Sequence, residues 1–108
     1  MQRADDFIVA LMTASSADEA ERISAALVEK RLAACCNIVK GVTSIYEWKG
    51  KLEKGEECLV IIKTRRELFE KLSSEIRSLH SYEVPEIIAL PMIAGFEGYL
   101  DWIKSNTQ

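Results

Sequence analysis

The sequence has few of the residues from which disulfide scaffolds and metal centres are built. Its 108 residues include one histidine and three cysteines, Cys35, Cys36 and Cys58. An odd number of cysteines without C-x-x-C spacing argues against the disulfide framework of a small secreted domain. A closed metal site needs three or four converging ligands, and Cys35 and Cys36, as neighbours on a strand, point to opposite faces. At most one of these two thiols can therefore join any single metal site.

The sequence also lacks long apolar runs and an excess of basic residues. The apolar run at residues 7–13 follows two aspartates and has neither the basic start nor the length of a signal peptide. No stretch approaches the ~20 apolar residues of a membrane span. The formal net charge is −3, whereas binding to nucleic acid or to an anionic membrane needs a basic face. We therefore expect a cytoplasmic protein with neither nucleic acid nor membrane as a partner.

The residues that are present are those of an ordinary globular domain. Hydrophobic residues make up 48% of the chain and charged residues 29%, as is usual for soluble proteins. A chain of this length buries roughly two-thirds of its unfolded surface, so it needs neither metal nor disulfide to fold. We expect a single domain over residues 1–108.

Apolar periodicity predicts alternating strands and helices. Continuous apolar runs with β-branched residues are typical of strands, and apolar residues at spacings of three and four are typical of helices. Ser16 with Glu19, and Thr64 with Glu67, have the S/T-x-x-E spacing of a helix-starting capping box. Strands are predicted at 7–13, 34–48, 52–63 and 84–93, and helices at 15–31, 64–80 and 96–108.

This order, β-α-β-β-α-β followed by a C-terminal helix, predicts an α+β protein with the ferredoxin-like split β-α-β fold. Right-handed crossovers then place the two main helices on one face of a four-stranded sheet. Phe7, Phe69, Phe96 and Trp102 lie on strands or apolar stripes that are expected to face the core.

The second and third strands form a long hairpin with a tight turn at residues 49–51. The 15 residues of 34–48 span roughly 50 Å when extended, whereas the radius of gyration of such a domain is only ~13 Å. Gly41 interrupts the first strand and predicts a bulge or bend. If the hairpin does not fold back onto its own sheet there, its tip exposes apolar residues and unpaired strand edge. We expect the tip to pair with another copy of the chain; the apolar residues concerned are Ile45, Tyr46, Trp48 and Leu52.

Five segments together resemble the CutA family of divalent-cation tolerance proteins. They are "LAACCNIV" (32–39), "TSIYEWKGKLE" (43–53), "LVIIKT" (59–64), "HSYEVPEIIALP" (80–91) and "YLDW" (99–102). The resemblance implies a homotrimer built by strand pairing between subunits and similar in shape to the PII signalling proteins. It also implies a role in tolerance to divalent metals, copper especially.

His80 is the candidate metal ligand. The family pattern most associated with copper has a cysteine at the end of the first strand and a double histidine before the segment around Tyr82. Met12 and Leu79 stand at those positions here, which leaves His80 alone. The resemblance therefore implies copper or another divalent metal bound weakly or between subunits. The alternative role of His80 is at the helix end, where it would donate to carbonyls of the last turn.

The resemblance also implies a cleft between subunits. A thiol beside a lysine and a carboxylate can be an activated nucleophile, but the same residues can be a structural thiol, an ion pair and a hydrogen-bonded tyrosine. No G-x-S-x-G, H-E-x-x-H or phosphate-loop motif supports catalysis, so we predict no enzymatic activity. The residues expected to converge in this cleft are Cys35, Trp48, Lys63, Tyr82, Glu83 and Glu86.

We therefore predict a non-enzymatic, trimeric binding or scaffold protein that acts in tolerance to divalent metal ions. Two alternatives stay open. One is a PII-like signalling module that binds a small anionic ligand in the inter-subunit cleft through Lys63. The other is a structural or interaction module with no ligand of its own.

Overall fold

The computed structural model describes residues 3–108, and its elements follow the predicted order. The strands are β1 (Phe7–Ala14), β2 (Cys35–Trp48), β3 (Lys51–Arg65) and β4 (Ile87–Pro91), and the helices are α1 (Ala17–Glu29), α2 (Phe69–Leu79) and α3 (Glu97–Ser105). One sheet in the order β2-β3-β1-β4 joins the strands, and every neighbouring pair is antiparallel. The predicted α+β class is confirmed. None of the helices within residues 3–108 is long and apolar enough to cross a bilayer.

The main core lies between one face of the sheet and the helices α1 and α2. Burial alternates along β1 and β3, as expected for strands with one face against helices. The side chains that meet there are Ala10, Met12, Val60 and Ile62 from the sheet and Ile23, Leu27, Leu72 and Ile76 from the helices. This packing fixes which face of each strand is turned away from the helices.

The other face of the sheet is mostly uncovered and apolar, and we call it the open face. Helix α3 covers only one end of it, where Phe7 packs against Leu100 and Ile103. Further along, Ile88 is 50% exposed and Leu90 is 54% exposed. In the described part of the chain no helix packs over these side chains. The open face consists of Val9, Leu11, Val39, Leu59, Ile61, Ile88 and Leu90.

The hairpin of β2 and β3 projects beyond the sheet, as predicted. Strand β1 pairs with β3 only from Cys58 to Arg65, so residues 51–57 of β3 pair with β2 alone. The molecule accordingly measures 49 × 26 × 23 Å. We call residues 42–57 the arm. Its side chains include Leu52, which is 80% exposed.

A bulge at Gly41 gives the arm its two faces. The register shifts between Val39 and Val42, so two residues of β2 oppose the single residue Cys58 of β3. Gly41 has φ 71°, a left-handed conformation that glycine adopts without steric cost. The extra residue reverses the alternation of side chains along β2. Tyr46 and Trp48 consequently lie on the open-face side of the arm.

The arm ends in a two-residue turn at Lys49 and Gly50. Their φ angles are 52° and 80°, and positive φ at both central residues is the mark of the type I′ turn that suits the twist of a hairpin. The predicted turn at 49–51 is thus confirmed, with Lys51 already in β3.

Three predictions about elements were wrong: the capping box at Thr64, the start of the second helix at residue 64, and the length of the fourth strand. The capping box at Thr64 does not form, because β3 continues to Arg65, which pairs with Phe7 of β1. The Thr64 hydroxyl instead donates to the Leu32 carbonyl at 2.6 Å, and α2 begins at Phe69. Strand β4 is only five residues long, because only Ile87–Pro91 find partners on β1.

The prediction that Phe96 and Trp102 face the core was wrong. Phe96 precedes α3 and is 80% exposed, and Trp102 is exposed as well. Trp102 stacks on Tyr99 with ring centroids 5.6 Å apart. The core side of α3 is formed by Leu100 and Ile103 instead. The helix therefore presents a stacked aromatic pair to its surroundings.

Candidate functional site

A cleft of about 410 Å³ opens along the arm, against the loop between α2 and β4. We call it the arm cleft. Its walls combine aromatic rings with acidic side chains, and among the described residues no lysine or arginine lines it. The rings are those of Tyr46, Trp48 and Tyr82, and the carboxylates are those of Glu57, Glu83 and Glu86.

His80 fixes the start of this loop. Its backbone ends α2 in an extended conformation, and its side chain is fully buried. Ring atom Nε2 lies 2.7 Å from the Thr13 carbonyl oxygen, and Nδ1 accepts the Tyr82 backbone N–H at 3.0 Å. This pattern is that of a neutral ring with its proton on Nε2. The ring therefore ties the loop to β1.

The structure changes the role proposed for His80 at the helix end. The ring donates to the carbonyl of Thr13 in β1, not to carbonyls of the last turn of α2. Both ring nitrogens are engaged, so a metal could bind either one only by displacing a hydrogen bond. Metal ligation by His80 stays a prediction, and it requires that one of these hydrogen bonds is broken.

Glu19 holds the same loop from the other side. Its side chain is only 6% exposed, and its carboxylate accepts hydrogen bonds from the Ser81 N–H at 2.8 Å and from the Ser15 N–H and hydroxyl at 3.0 and 2.9 Å. Burial by itself would raise the pKa of this carboxyl, but the hydrogen bonds from Ser81 and Ser15 outweigh it and lower the pKa to about 2. The carboxylate is thus charged and satisfied inside the fold.

The predicted capping box at the start of α1 forms only in part. The Ser16 hydroxyl accepts the Glu19 N–H at 3.1 Å, which confirms where the helix begins. The Glu19 carboxylate, however, bonds Ser15 and Ser81 rather than the backbone of Ser16. Sequence reasoning therefore found the residue but missed its part in holding the loop.

Tyr82 connects the loop to the arm. Its hydroxyl donates to Oε2 of Glu57 at 2.7 Å, and its ring lies 4.7 Å from the His80 ring, centroid to centroid. Burial, and then the Glu57 carboxylate, raise the pKa of Tyr82. The cleft wall is therefore braced from α1 through the loop to the arm. Sequence reasoning missed Glu57, although its even spacing from Lys63 along β3 places it on the open-face side.

The predicted cleft residues fall into two groups within one protomer. Trp48, Tyr82, Glu83 and Glu86 line the arm cleft. Cys35 and Lys63 pair across β2 and β3. Lys63 and Glu57 are six residues apart on β3, which corresponds to roughly 20 Å. Convergence of all these residues would need a second subunit, and it stays a prediction.

Cys35 and Lys63 have their own polar partner. The Asn37 side-chain oxygen accepts from the Lys63 ammonium and lies 3.8 Å from the Cys35 sulfur. The other thiols face the core: burial raises the pKa of Cys36 to about 11, and Cys58 is buried. Within residues 3–108 no three His, Cys, Asp or Glu side chains are grouped closely enough to hold a metal ion.

Comparison with known proteins agrees with this architecture. The family model described as CutA1 divalent ion tolerance protein matches residues 8–106. The divalent-cation tolerance protein CutA of Thermus thermophilus is 50% identical over 99 residues, which cover 92% of this chain and 96% of the relative. Protein CutA of Homo sapiens is 48% identical over 99 residues. Those residues cover 92% of this chain but 55% of the human protein, so the chain spans about half of that relative's length.

The fold of this chain also agrees with that of a solved structure. The solved structure of the divalent cation tolerance protein CutA1 from Thermus thermophilus superposes with a TM-score of 0.92 at 48% identity, covering 94% of this chain and 99% of that one. The resemblance noted in the five sequence segments is confirmed. The chain belongs to the CutA1 divalent ion tolerance protein family.

Proposed function

We propose that this chain acts in divalent-cation tolerance as a non-enzymatic homotrimer of single-domain, ferredoxin-like protomers. The family supports the tolerance role, and the open face supports the assembly, because an apolar sheet face exposed to water is unfavourable in a monomer. Val39, Ile88 and Leu90 are all more than 40% exposed there, and the stacked pair of Tyr99 and Trp102 adds to the apolar surface. Burial against other subunits would remove this surface from water.

The sheet edges support the same assembly. Strands β2 and β4 are the outer strands, and β2 runs on into the arm, where one side of each strand has no neighbour among the described residues. Unpaired strand edges pair readily with another chain. We infer that the arm of each protomer adds to the sheet of the next one, with Ile45 and Leu52 as apolar anchors.

Copper is the proposed ion, and weak binding is the proposed mode. The donors of one protomer do not fit a resident copper site, because Cys36 and Cys58 lie in the core, Cys35 lies beside Asn37, and both ring nitrogens of His80 are engaged. Direct ligation would therefore need donors from a neighbouring subunit. The proposed compartment is the cytoplasm, in keeping with three free thiols.

The separation of the polar groups supports a non-enzymatic role. The thiol of Cys35 and the ammonium of Lys63 lie together, whereas Tyr82 and the glutamates lie in the arm cleft. A nucleophile, a base and an orienting group need hydrogen-bond contact to work together. These residues do not make that contact within one protomer.

One observation favours the PII-like alternative. The side chain of Lys63 lies half-buried among the apolar residues of the open face, with the Asn37 amide as its polar partner. An ammonium enclosed in an interface needs a negative counter-charge. A small anion bound beside Lys63 in the trimer would supply it.

Growth under copper stress tests the proposed function. Cells that lack their own CutA relative should grow at a copper concentration that stops the empty-vector control once they express this chain. Equal growth of the two strains would contradict a tolerance role.

Calorimetric titration of the purified protein with Cu(I), Cu(II) and Zn(II) separates metal binding from scaffolding. We expect binding tighter than about 1 mM, or roughly −4 kcal/mol, in the assembled protein. Absence of such binding would exclude direct metal buffering and leave the scaffold role. His80→Ala reports whether this histidine contributes, since its loss should lower the affinity if it is a ligand.

A further inference from the structure

We infer that His80 is a positioning residue for the loop between α2 and β4 and that it is not a metal ligand in this chain. The inference departs from the ligand role that the family resemblance implies for this histidine. Its first support is enclosure. The His80 side chain is fully buried within a single protomer, so donors of a neighbouring subunit cannot reach the ring in this conformation. A shared metal site at His80 would require the protomer itself to open.

The second support is that the ring has no free lone pair. A backbone carbonyl only accepts and a backbone N–H only donates, so the two partners fix the tautomer. Nε2 donates to the Thr13 carbonyl at 2.7 Å, and Nδ1 accepts the Tyr82 N–H at 3.0 Å. A metal at Nδ1 would leave the Tyr82 N–H without its acceptor. A metal at Nε2 would move the ring proton to Nδ1, where it would face another donor.

The surroundings of the ring do not complete a metal site. The Glu19 carboxylate lies 4.0 Å from Nδ1, but it already accepts hydrogen bonds from Ser15 and Ser81. No three His, Cys, Asp or Glu side chains of residues 3–108 are grouped closely enough to hold an ion. A closed site needs three or four converging ligands. One ring and one hydrogen-bonded carboxylate fall short of that number.

The two hydrogen bonds of the ring place the loop against both the sheet and the arm. Thr13 lies near the end of β1, whose pairing with β3 begins at Cys58. Tyr82, whose N–H is held by Nδ1, donates its hydroxyl to Glu57, the neighbouring residue in the arm. An acceptor for the N–H two residues ahead is what Asn and Asp supply in an Asx-turn. His80 supplies the same local contact and adds a second one to β1.

The ring can be observed alone, because His80 is the only histidine of the chain. Nitrogen-15 NMR of the assembled, unsubstituted protein should show a neutral ring with its proton on Nε2. Zn(II), and Cu(I) under reducing conditions, should leave the ring signals unchanged, even if calorimetry detects binding. Both ions are diamagnetic, so the signals stay visible. A proton on Nδ1, or a saturable shift of the ring signals with either ion, would overturn the inference.

Two substitutions test the positioning role. His80→Phe removes both hydrogen bonds, so amide hydrogen exchange at Tyr82 should become about ten-fold faster. His80→Asn keeps an acceptor for this N–H, as in an Asx-turn, and should restore exchange to within about three-fold of wild type. A ring that merely filled space would not be replaced by Asn in this way. Arg77→Gln, exposed in the last turn of α2, is the control and should leave exchange at Tyr82 unchanged.

Equal exchange at Tyr82 in wild type and His80→Phe would contradict the positioning role, and so would equally fast exchange in His80→Asn and His80→Phe. The NMR experiment on the unsubstituted chain decides the question if His80→Phe does not fold.

The result for His80 is separate from the proposed tolerance role. Metal binding with an unchanged ring would support the inference and assign the ion to other donors. A shift of the ring on metal addition would overturn the inference while supporting direct metal binding. Equal growth of the two strains under copper stress would count against tolerance alone, because the assignment of the ring rests on its own hydrogen bonds.

Discussion

At the scale of single residues, Glu19 is a buried carboxylate that holds the loop lining the arm cleft. Burying a carboxylate costs free energy unless it is hydrogen-bonded, and Glu19 accepts hydrogen bonds from two segments of the chain. Ser15 is four positions away in the sequence, whereas Ser81 is 62 positions away. The carboxylate therefore links the start of α1 to the loop that lines the cleft.

Glu19→Gln should destabilise the fold by about 2 kcal/mol at pH 7, because hydrogen bonds to a charged group contribute roughly 1.5–3 kcal/mol. The amide also turns a donor toward groups that themselves donate. Unfolding in urea measures the change, at fixed chain concentration because the proposed subunit assembly would contribute to stability. Glu21→Gln, exposed on the same helix, is the matched control and should stay within about 0.5 kcal/mol of wild type.

The effect should depend on pH in a defined direction. The folded-state pKa of Glu19 is about 2, below the ordinary value of 4.5. Its contribution is therefore complete above pH 4.5 and is lost as the pH falls toward 2. At about 1.4 kcal/mol per pKa unit, the full loss is roughly 3 kcal/mol. A Glu19→Gln difference that stayed constant from pH 7 to pH 2 would contradict this account.

Contacts between residues close in the sequence could be predicted, whereas contacts between distant residues could not. The Ser16 cap is a local contact, three positions from Glu19, so spacing was enough to predict it. The bonds from Glu19 to Ser81 and from His80 to Thr13 join distant segments. Their partners are set only when α1, α2 and β1 pack. Spacing along the chain carries no information about such contacts.

At the scale of elements, the arm depends on its bulge. Without the extra residue at Gly41, the alternation along β2 would turn Tyr46 and Trp48 to the face opposite Glu57. The sequence indicated both the bulge and the turn, because glycine at these positions permits positive φ. It did not indicate where β4 begins, since residues 84–86 are extended in pattern but have no partner on β1. The strand is short because pairing, not propensity, decides its ends.

Gly41→Ala should destabilise the protein by about 1–2 kcal/mol, the cost of a left-handed conformation for a residue with a Cβ. A new Cβ would meet no atom within 4 Å there, so the loss is conformational and not steric. Gly55→Ala is the matched control, because Gly55 lies in the same arm with open space around it and without positive φ. Thermal unfolding of both variants checks this. Equal losses would show that the bulge conformation is not what Gly41 supplies.

At the scale of the whole molecule, the open face and the arm both expose apolar side chains. The open face is apolar and lies on the side of the sheet away from α1 and α2, and the arm extends past the end of β1. The length of the hairpin predicted the projection. Periodicity in the last helix did not predict that Tyr99 and Trp102 would be exposed, because an apolar stripe looks the same whether it faces the core or another subunit.

The mass of the purified protein in solution tests this account most directly. The proposed homotrimer buries the open face and pairs the arm, so light scattering after gel filtration at micromolar concentration should give the mass of three chains. The mass should hold on ten-fold dilution, as expected for a large apolar interface. A mass equal to one chain would contradict the proposed assembly, because it would leave the apolar open face of each protomer in water.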